Sequence, residues 1–296
     1  MNKKAGAEIL ISKKYKKRSR FGDIFHRLKQ NKGAVAGLII VGLLVLTVLC
    51  SLFISYETVT ATNSANRLRP PAWDLPFGGD NMGRNVFLRT VYGTRYTIAI
   101  GFSAVGIATV VGVALGSIAG YFGGIVDDLI MRASDVLASI PGMLFGMVIV
   151  NLLGQSLQNL IIAVGVTSIP MFIRITRASI LSLRNQEFVE AARAIGMSNF
   201  RIIFTQVLPN GLAPIIVIFT GSLGMAVMIG AALSFMGFGV AVPTPEWGAL
   251  VSAGRNYIRT APFLMTYPGL LIMITALAFN LLGDGLRDAL DPKLKS

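Results

Sequence analysis

Five stretches of the chain contain no Asp, Glu, Lys or Arg: Ala34–Ser55, Thr97–Tyr121, Val136–Ile173, Ile202–Pro245 and Ala261–Gly283. A helix needs roughly 20 apolar residues to cross the hydrocarbon core of a bilayer, so each is long enough to span. The third is too long for one crossing and is interrupted by the polar run NLLGQSLQN, Asn151–Asn159. It therefore divides into two spans, the second short. The spanning part of the fourth stretch begins near Gly211. The pattern predicts an all-α integral membrane protein with six transmembrane helices.

Between the fourth and fifth spans the pattern changes to EFVEAARAIGMSNFRIIFTQVLPN, Glu187–Asn210. On a helix Phe188, Ala192 and Ile195 share one face, while Glu187, Glu190 and Ala194 share another. Gly196 interrupts, in the place where a left-handed helix end favours a residue without a side chain. Ser198 is placed to cap a second helix, in which Phe200, Ile203, Phe204 and Val207 follow i, i+3, i+4, i+7 spacing. Pro209 is expected to end it, because the residue before a proline is pushed out of helical geometry. Near the start of the chain Phe21, Ile24, Phe25 and Leu28 repeat the same spacing, which predicts an interfacial helix lying along the inner leaflet.

Composition adds to this picture. Charged residues make up 14% of the chain and the mean hydropathy is +0.66; a soluble domain carries about 25% charged residues, so lipid is the main solvent. The net charge of +13 could suggest nucleic acid, but all ten lysines lie near the two ends, from Lys3 to Lys32 and at Lys293 and Lys295. Terminal basic clusters flanking apolar spans follow the positive-inside rule, and no nucleic-acid partner is expected. Of the 27 Lys and Arg, 20 fall on the side that holds both termini and seven on the other, which predicts cytoplasmic termini. The basic N-terminal segment is too long, and lacks a closing small-residue pattern, for a cleavable signal peptide. The expected organisation is a basic segment 1–33, a first span 34–55, an extracytoplasmic loop 56–95, a core 96–283 holding the other five spans and the polar segment 184–209, and a cytoplasmic tail 284–296.

The chemistry that is missing narrows the function. Cys50 is the only cysteine and His26 the only histidine, so no disulfide framework, thiolate metal site or histidine dyad can form within the chain. No Gly-Lys dipeptide occurs, hence no phosphate-cradling loop of the G-x-x-x-x-G-K-[ST] type. No ionisable residue lies deep in a predicted span, where ion-coupled transporters often place their sites. Asp135, at the mouth of the third span, is expected to pair with Arg132 one turn away. Met143, Met147, Met225, Met228 and Met236 are expected to fill gaps in the packing. The chain thus spans a membrane without an evident energy source of its own.

The segment EAARAIG, followed at the right distance by LP, resembles the EAA loop of ABC importer permeases. QNKGAVAGLII (Gln30–Ile40), GDNMGRNVFLRTVYGTR (Gly79–Arg95), LSFMGFGVAVPTPEWG (Leu233–Gly248) and FNLLGDGLRDALDPKLK (Phe279–Lys295) resemble the oligopeptide, dipeptide and nickel branch, on the C-subunit side. Asn85 stands where that pattern usually has Asp, and PFGGDN departs from the usual approach to it, so the loop is read as a structural cap without a substrate role. The resemblance implies a type I ABC importer permease fold with a cytoplasmic coupling-helix loop, in the cytoplasmic membrane of a bacterium or archaeon. It implies a non-catalytic subunit forming half of a pathway for di- or oligopeptides, with nickel or a metal chelate as the alternative cargo. Its partners would be a sister permease in a heterodimer, two cytoplasmic ABC ATPases and an extracytoplasmic substrate-binding protein. ATP and Mg would be bound by the ATPases, with no cofactor in this chain. Glu187, Glu190, Ala191, Ala192, Arg193 and Gly196 would dock the ATPase, with Ser198 and Pro209 as structural ends of the loop. An ion-coupled secondary transporter is the reading from a different class.

Overall fold

The computed structural model describes residues 20–290; the side chains of Phe21 and Ile24, and the lysines at positions 3–17, 293 and 295, lie outside that description. Helix α1 (Arg20–Gln30) is amphipathic and turns at Asn31 into α2 (Lys32–Ser51). A short α3 (Tyr56–Thr60) and a chain of turns lead to the longest helix, α4 (Val86–Phe122). Then follow α5 (Gly124–Ser139), α6 (Gly142–Leu153) and α7 (Leu157–Leu183). The polar segment forms α8 (Glu187–Ala194) and α9 (Asn199–Ile202), and the chain ends with α10 (Leu212–Leu233), α11 (Trp247–Gly254) and α12 (Phe263–Leu290). Among the described residues the only β pairings are the isolated bridges Ala72–Leu75 and Gly79–Asn85.

Among the described residues five helices are long and apolar enough to cross a membrane, and α5 with α6 forms a pair bent by 88° that makes a sixth crossing if counted as one span. The division of the long third stretch falls at Gly154–Ser156, inside the predicted polar break. The sharp bend at Ile140–Pro141 was not anticipated: Pro141 occupies the N-cap of α6, and a proline cannot donate into a helix continuing from α5. Helix α4 begins at Val86, well before the predicted Thr97. Counting charges set the boundary after Arg95, yet both arginines in this first part have partners. The Arg89 guanidinium donates to the carbonyls of Val59 (3.0 Å) and Pro243 (3.3 Å), and that of Arg95 lies 3.3 Å above the Tyr92 ring.

Small residues bring the long helices together. Gly112, Gly116 and Gly120 form a stripe one turn apart on α4, and a Cβ at Gly116 would sit 2.6 Å from the Ile173 carbonyl oxygen of α7. At Gly120 it would sit 2.9 Å from the Arg177 carbonyl oxygen. This backbone-to-backbone approach is the small-xxx-small packing of membrane helices. Helix α10 meets α12 the same way at Gly224 against Ala276, and α2 meets α12 at Gly37 against Ala278. Between α4, α7 and α10 the side chains of Ile100, Leu160, Phe172, Leu223 and Leu233 fill the interior. At the end of the bundle that carries both described termini, Leu28 of α1 is buried near Gly285, and Asn31 donates to Asp288 at 3.0 Å.

At the opposite end, residues 56–85 fold over the helix ends. The Asp80 carboxylate accepts from the Met82 and Arg84 backbone N–H groups and pairs with the Arg84 side chain at 2.6 Å. Phe77 stacks on Tyr267 with centroids 4.1 Å apart. Asn85 caps α4 by accepting from the Leu88 N–H at 3.1 Å, work an Asp would do equally well. Buried Glu246 caps α11, accepting from Gly248 and Ala249 N–H groups (both 2.9 Å) and the Thr97 hydroxyl (3.2 Å). Burial pushes its carboxyl up, while those backbone donors hold it down. Trp247 beside it is fully buried and donates its indole N–H to the Thr90 carbonyl at 2.9 Å.

Candidate functional site

The segment after α7 is a short helix, a tight turn and a second helix, seated on the ends of α4 and α7. Val189 and Ala192 of α8 are buried in a cluster with Tyr121, Ile180, Ile202, Ile203 and Val207. Glu187, Glu190, Ala191 and Arg193 are exposed. Of the apolar face Phe188–Ala192–Ile195 only Ala192 is buried, and Ile195 is 77% exposed. Ile195 is the C-cap, with φ −85° and ψ 9°, so its side chain leaves the helical stripe. Gly196 has φ +79°, the Gly196 N–H reaches the Arg193 carbonyl and the Met197 N–H reaches that of Ala192. This pair of bonds is the Schellman arrangement, and a Cβ on Gly196 would meet nothing within 4 Å. Glycine is needed there for its backbone, not for space.

Beyond the turn, Ser198 has the extended backbone of an N-cap, but its hydroxyl makes no capping bond. Helix α9 runs into a π turn, Ile203–Val207, and a last turn, Leu208–Asn210. Pro209 therefore lies within helical backbone and does not end it; the break comes at Gly211, with φ −95° and ψ 4°. The extra residue in the π turn widens the coil, so the missing proline N–H and its ring are accommodated. The same widening rotates the apolar stripe. Ile202, Ile203 and Val207 are buried, whereas Phe200 and Phe204, expected on that stripe, are 63% and 55% exposed.

Tyr121, at the end of α4, holds the two halves together. Its hydroxyl donates to Asn199 Oδ1 at 3.1 Å and accepts from Arg193 Nε at 3.4 Å. The Arg193 guanidinium lies 5.3 Å from the ring centroid. Phe122 bridges edge-on to both Tyr121 and Phe200. Arg184 donates to the Gly120 carbonyl at 3.1 Å and Ser179 to that of Gly211 at 2.9 Å. Arg177 grips Asp127 with two hydrogen bonds, Nη2 to Oδ2 at 2.6 Å, tying α7 to α5. Neither Tyr121 nor Asn199 was singled out in the sequence: the one signal of Tyr121 is a polar tip at the close of an apolar run, which many interfacial residues share, and Asn199 has none.

Two further expectations are corrected by the structure. Asp135 pairs with Arg174 of α7 at 2.9 Å, not with Arg132, because the turn from α6 brings α7 back alongside α5. Met143, Met225, Met228 and Met236 are exposed on the outside of this chain, and only Met147 packs against the interior.

Residues 112–296 match the family described as the binding-protein-dependent transport system inner membrane component, and residues 19–71 match the N-terminal transmembrane domain of oligopeptide transport permease C. The first match alone covers more than half the chain. The chain belongs to the binding-protein-dependent permease family. It is 46% identical to the dipeptide transport system permease protein DppC of Alkalihalophilus pseudofirmus, over 93% of this chain and 90% of that one. With the glutathione transport system permease protein GsiD of Pectobacterium atrosepticum it shares 38% identity over 91% of this chain and 89% of that one. The inward-facing MetNI methionine ABC transporter matches in structure with a TM-score of 0.57, covering 69% of this chain and 97% of that one at 20% identity, which shows the type I permease fold. The protein is accordingly a non-catalytic, multi-pass permease subunit of an ABC importer. A family defined by dependence on a binding protein displaces the reading as an ion-coupled secondary transporter.

Proposed function

We propose that this permease forms one half of the translocation pathway of a peptide importer, with a sister permease as the other half. Both termini and the α8–α9 element face the cytoplasm, where a pair of ABC ATPases docks on that element; an extracytoplasmic protein delivers the peptide to the opposite end. The observation that carries the docking reading is the seating of α8. Val189 and Ala192 anchor it on Tyr121, while Glu187, Glu190 and Ala191 remain exposed beside Phe188 and Ile195. A carboxylate flanked by small and apolar side chains suits an apolar groove with a cationic or amide rim. ATP-driven changes in the ATPase pair would then shift α8, and through Tyr121 the end of α4, between two packed states. The dipeptide names of several relatives support peptide over nickel.

The test uses the chain co-expressed with its sister permease, ATPases and binding protein. Glu190→Arg and Gly196→Asp are expected to reduce both co-purification of the ATPases and dipeptide uptake, while the chain still inserts. Normal co-purification together with normal uptake would refute the docking assignment.

A further inference from the structure

A groove runs along the exposed face of α7. Two clefts, of about 380 and about 370 Å3, flank Thr167 and Met171, which line both: one opens toward α5 and α6, the other toward α10. Thr167, Met171 and Arg174 follow i, i+4, i+7 on α7; Ile218, Ser222 and Met225 follow the same spacing on α10 across from them. Thr167 and Ser168 donate their hydroxyls to the Val164 carbonyl at 2.9 and 3.0 Å. Each hydroxyl oxygen keeps lone pairs to accept from a passing donor. Toward one end sits the Asp135–Arg174 pair, about 14 Å short of the end of α7 at 1.5 Å per residue. Asp135 and Arg174 are the two charges that bound the apolar run Val136–Ile173, so the pair stands at the mouth of the spans, within reach of water.

The two ion pairs of this region differ in kind. Asp127–Arg177 is bidentate, and the Asp127 side chain is only 12% exposed. Asp135–Arg174 rests on a single hydrogen bond, with side chains 62% and 50% exposed. An exposed pair is worth about 0–1 kcal/mol, so either member can exchange its partner at little cost. We propose that this groove is the wall of the passage in this subunit and that Asp135 and Arg174 transiently hold the charged ends of a zwitterionic peptide. Asp135 accepts from the ammonium, and Arg174 donates to the carboxylate through its planar fork. Thr167, Ser168 and Ser222 offer hydroxyls to the peptide amides, and Met171 and Met225 adapt to varied side chains. Weak, exchangeable contacts are what a passage needs, since a tight site would trap its cargo. This inference rests on the peptide reading above.

The experiment uses the full importer in membrane vesicles. Asp135→Asn and Arg174→Gln are expected each to lower the maximal rate of dipeptide uptake about tenfold, the scale of one charge-assisted hydrogen bond. Complex yield and peptide affinity of the binding protein should not change. The double variant Asp135→Asn with Arg174→Gln removes both charges but can rebuild a neutral hydrogen bond between α5 and α7, and uptake should fall below that of either single variant. Recovery of uptake in that variant would show that the pair only joins α5 to α7, and would overturn the proposal. Uptake within about twofold of the parent in both single variants, as for an idle surface pair, would overturn it too. A second measurement places Thr167→Cys in a Cys50→Ser background and follows modification by a charged thiol reagent. Modification slowed by dipeptide during turnover is expected; absence of labelling, or labelling indifferent to peptide, counts against the groove. If the unaltered importer takes up nickel and no dipeptide, the peptide reading fails; if it takes up dipeptide and the variants match it, this inference alone fails.

Discussion

Replacing Gly116 by alanine inserts a single methyl group at the closest point between α4 and α7. The new Cβ would lie 2.6 Å from the Ile173 carbonyl oxygen, 2.8 Å from Thr176 Cβ and 3.1 Å from the Arg177 nitrogen. Ordinary contact begins at 3.4 Å, so the helices must part locally by about 0.8 Å. A gap of that size forfeits about a quarter to a half of the dispersion attraction of each atom pair across it, and Phe172, Ile173 and Ile180 all line this seam. Overpacking of this kind costs about 1–3 kcal/mol, offset by about 0.5–1 kcal/mol from the better helix propensity of alanine. The expected net loss is about 0–2.5 kcal/mol. Gly106→Ala is the control: it lies on the same helix, and a Cβ there meets nothing within 4 Å. It should be neutral or stabilising by about 0.5–1 kcal/mol. Unfolding of the purified chain in mixed detergent micelles, titrated with a denaturing detergent, would rank the two against the parent. Equal stability of the two variants, or a less stable Gly106→Ala, would refute the claim that close backbone approach at the glycine stripe holds α4 to α7.

Tyr121→Phe keeps the buried ring but removes the hydroxyl between Asn199 and Arg193; fewer peptides transported per ATP hydrolysed are expected, measured by uptake and ATPase activity on the same vesicles. Glu246→Ala leaves the Gly248 and Ala249 N–H groups unpaired in a buried place, a loss of about 2–5 kcal/mol, visible as a lower melting temperature and folded yield; Glu246→Gln, which keeps an acceptor, should lose less. Asn85→Asp should leave the melting temperature unchanged because both side chains accept from the Leu88 N–H, whereas Asn85→Ala should cost about 1 kcal/mol.

Most of the membrane architecture was legible in the sequence. Apolar length decides which segments leave water, and that depends on each residue's own solvation, whatever its neighbours in space. The same holds for Gly196: a helix end that requires positive φ selects glycine locally, and the structure has φ +79° there. The polar break at Asn151–Asn159 likewise located the turn between α6 and α7. The GxxxGxxxG stripe on α4 was present in the sequence too, but which helix it packs against was not.

What only the tertiary structure decided is pairing. Asp135 finds Arg174 across the α6 turn and not Arg132 on its own helix. Arg89 and Arg95 read as part of the loop before the second apolar run, yet α4 passes through both because a cap carbonyl and an aromatic ring receive them. On α8 periodicity offered several faces, and Val189 with Ala192 was chosen because Tyr121 stands opposite. In α9 the π turn carried the chain past Pro209 and turned Phe200 and Phe204 outward. The physical reason is common to all four. Hydropathy and helical periodicity report the preferences of residues along one dimension, whereas the partner that neutralises a charge or covers a face arrives from a distant part of the chain.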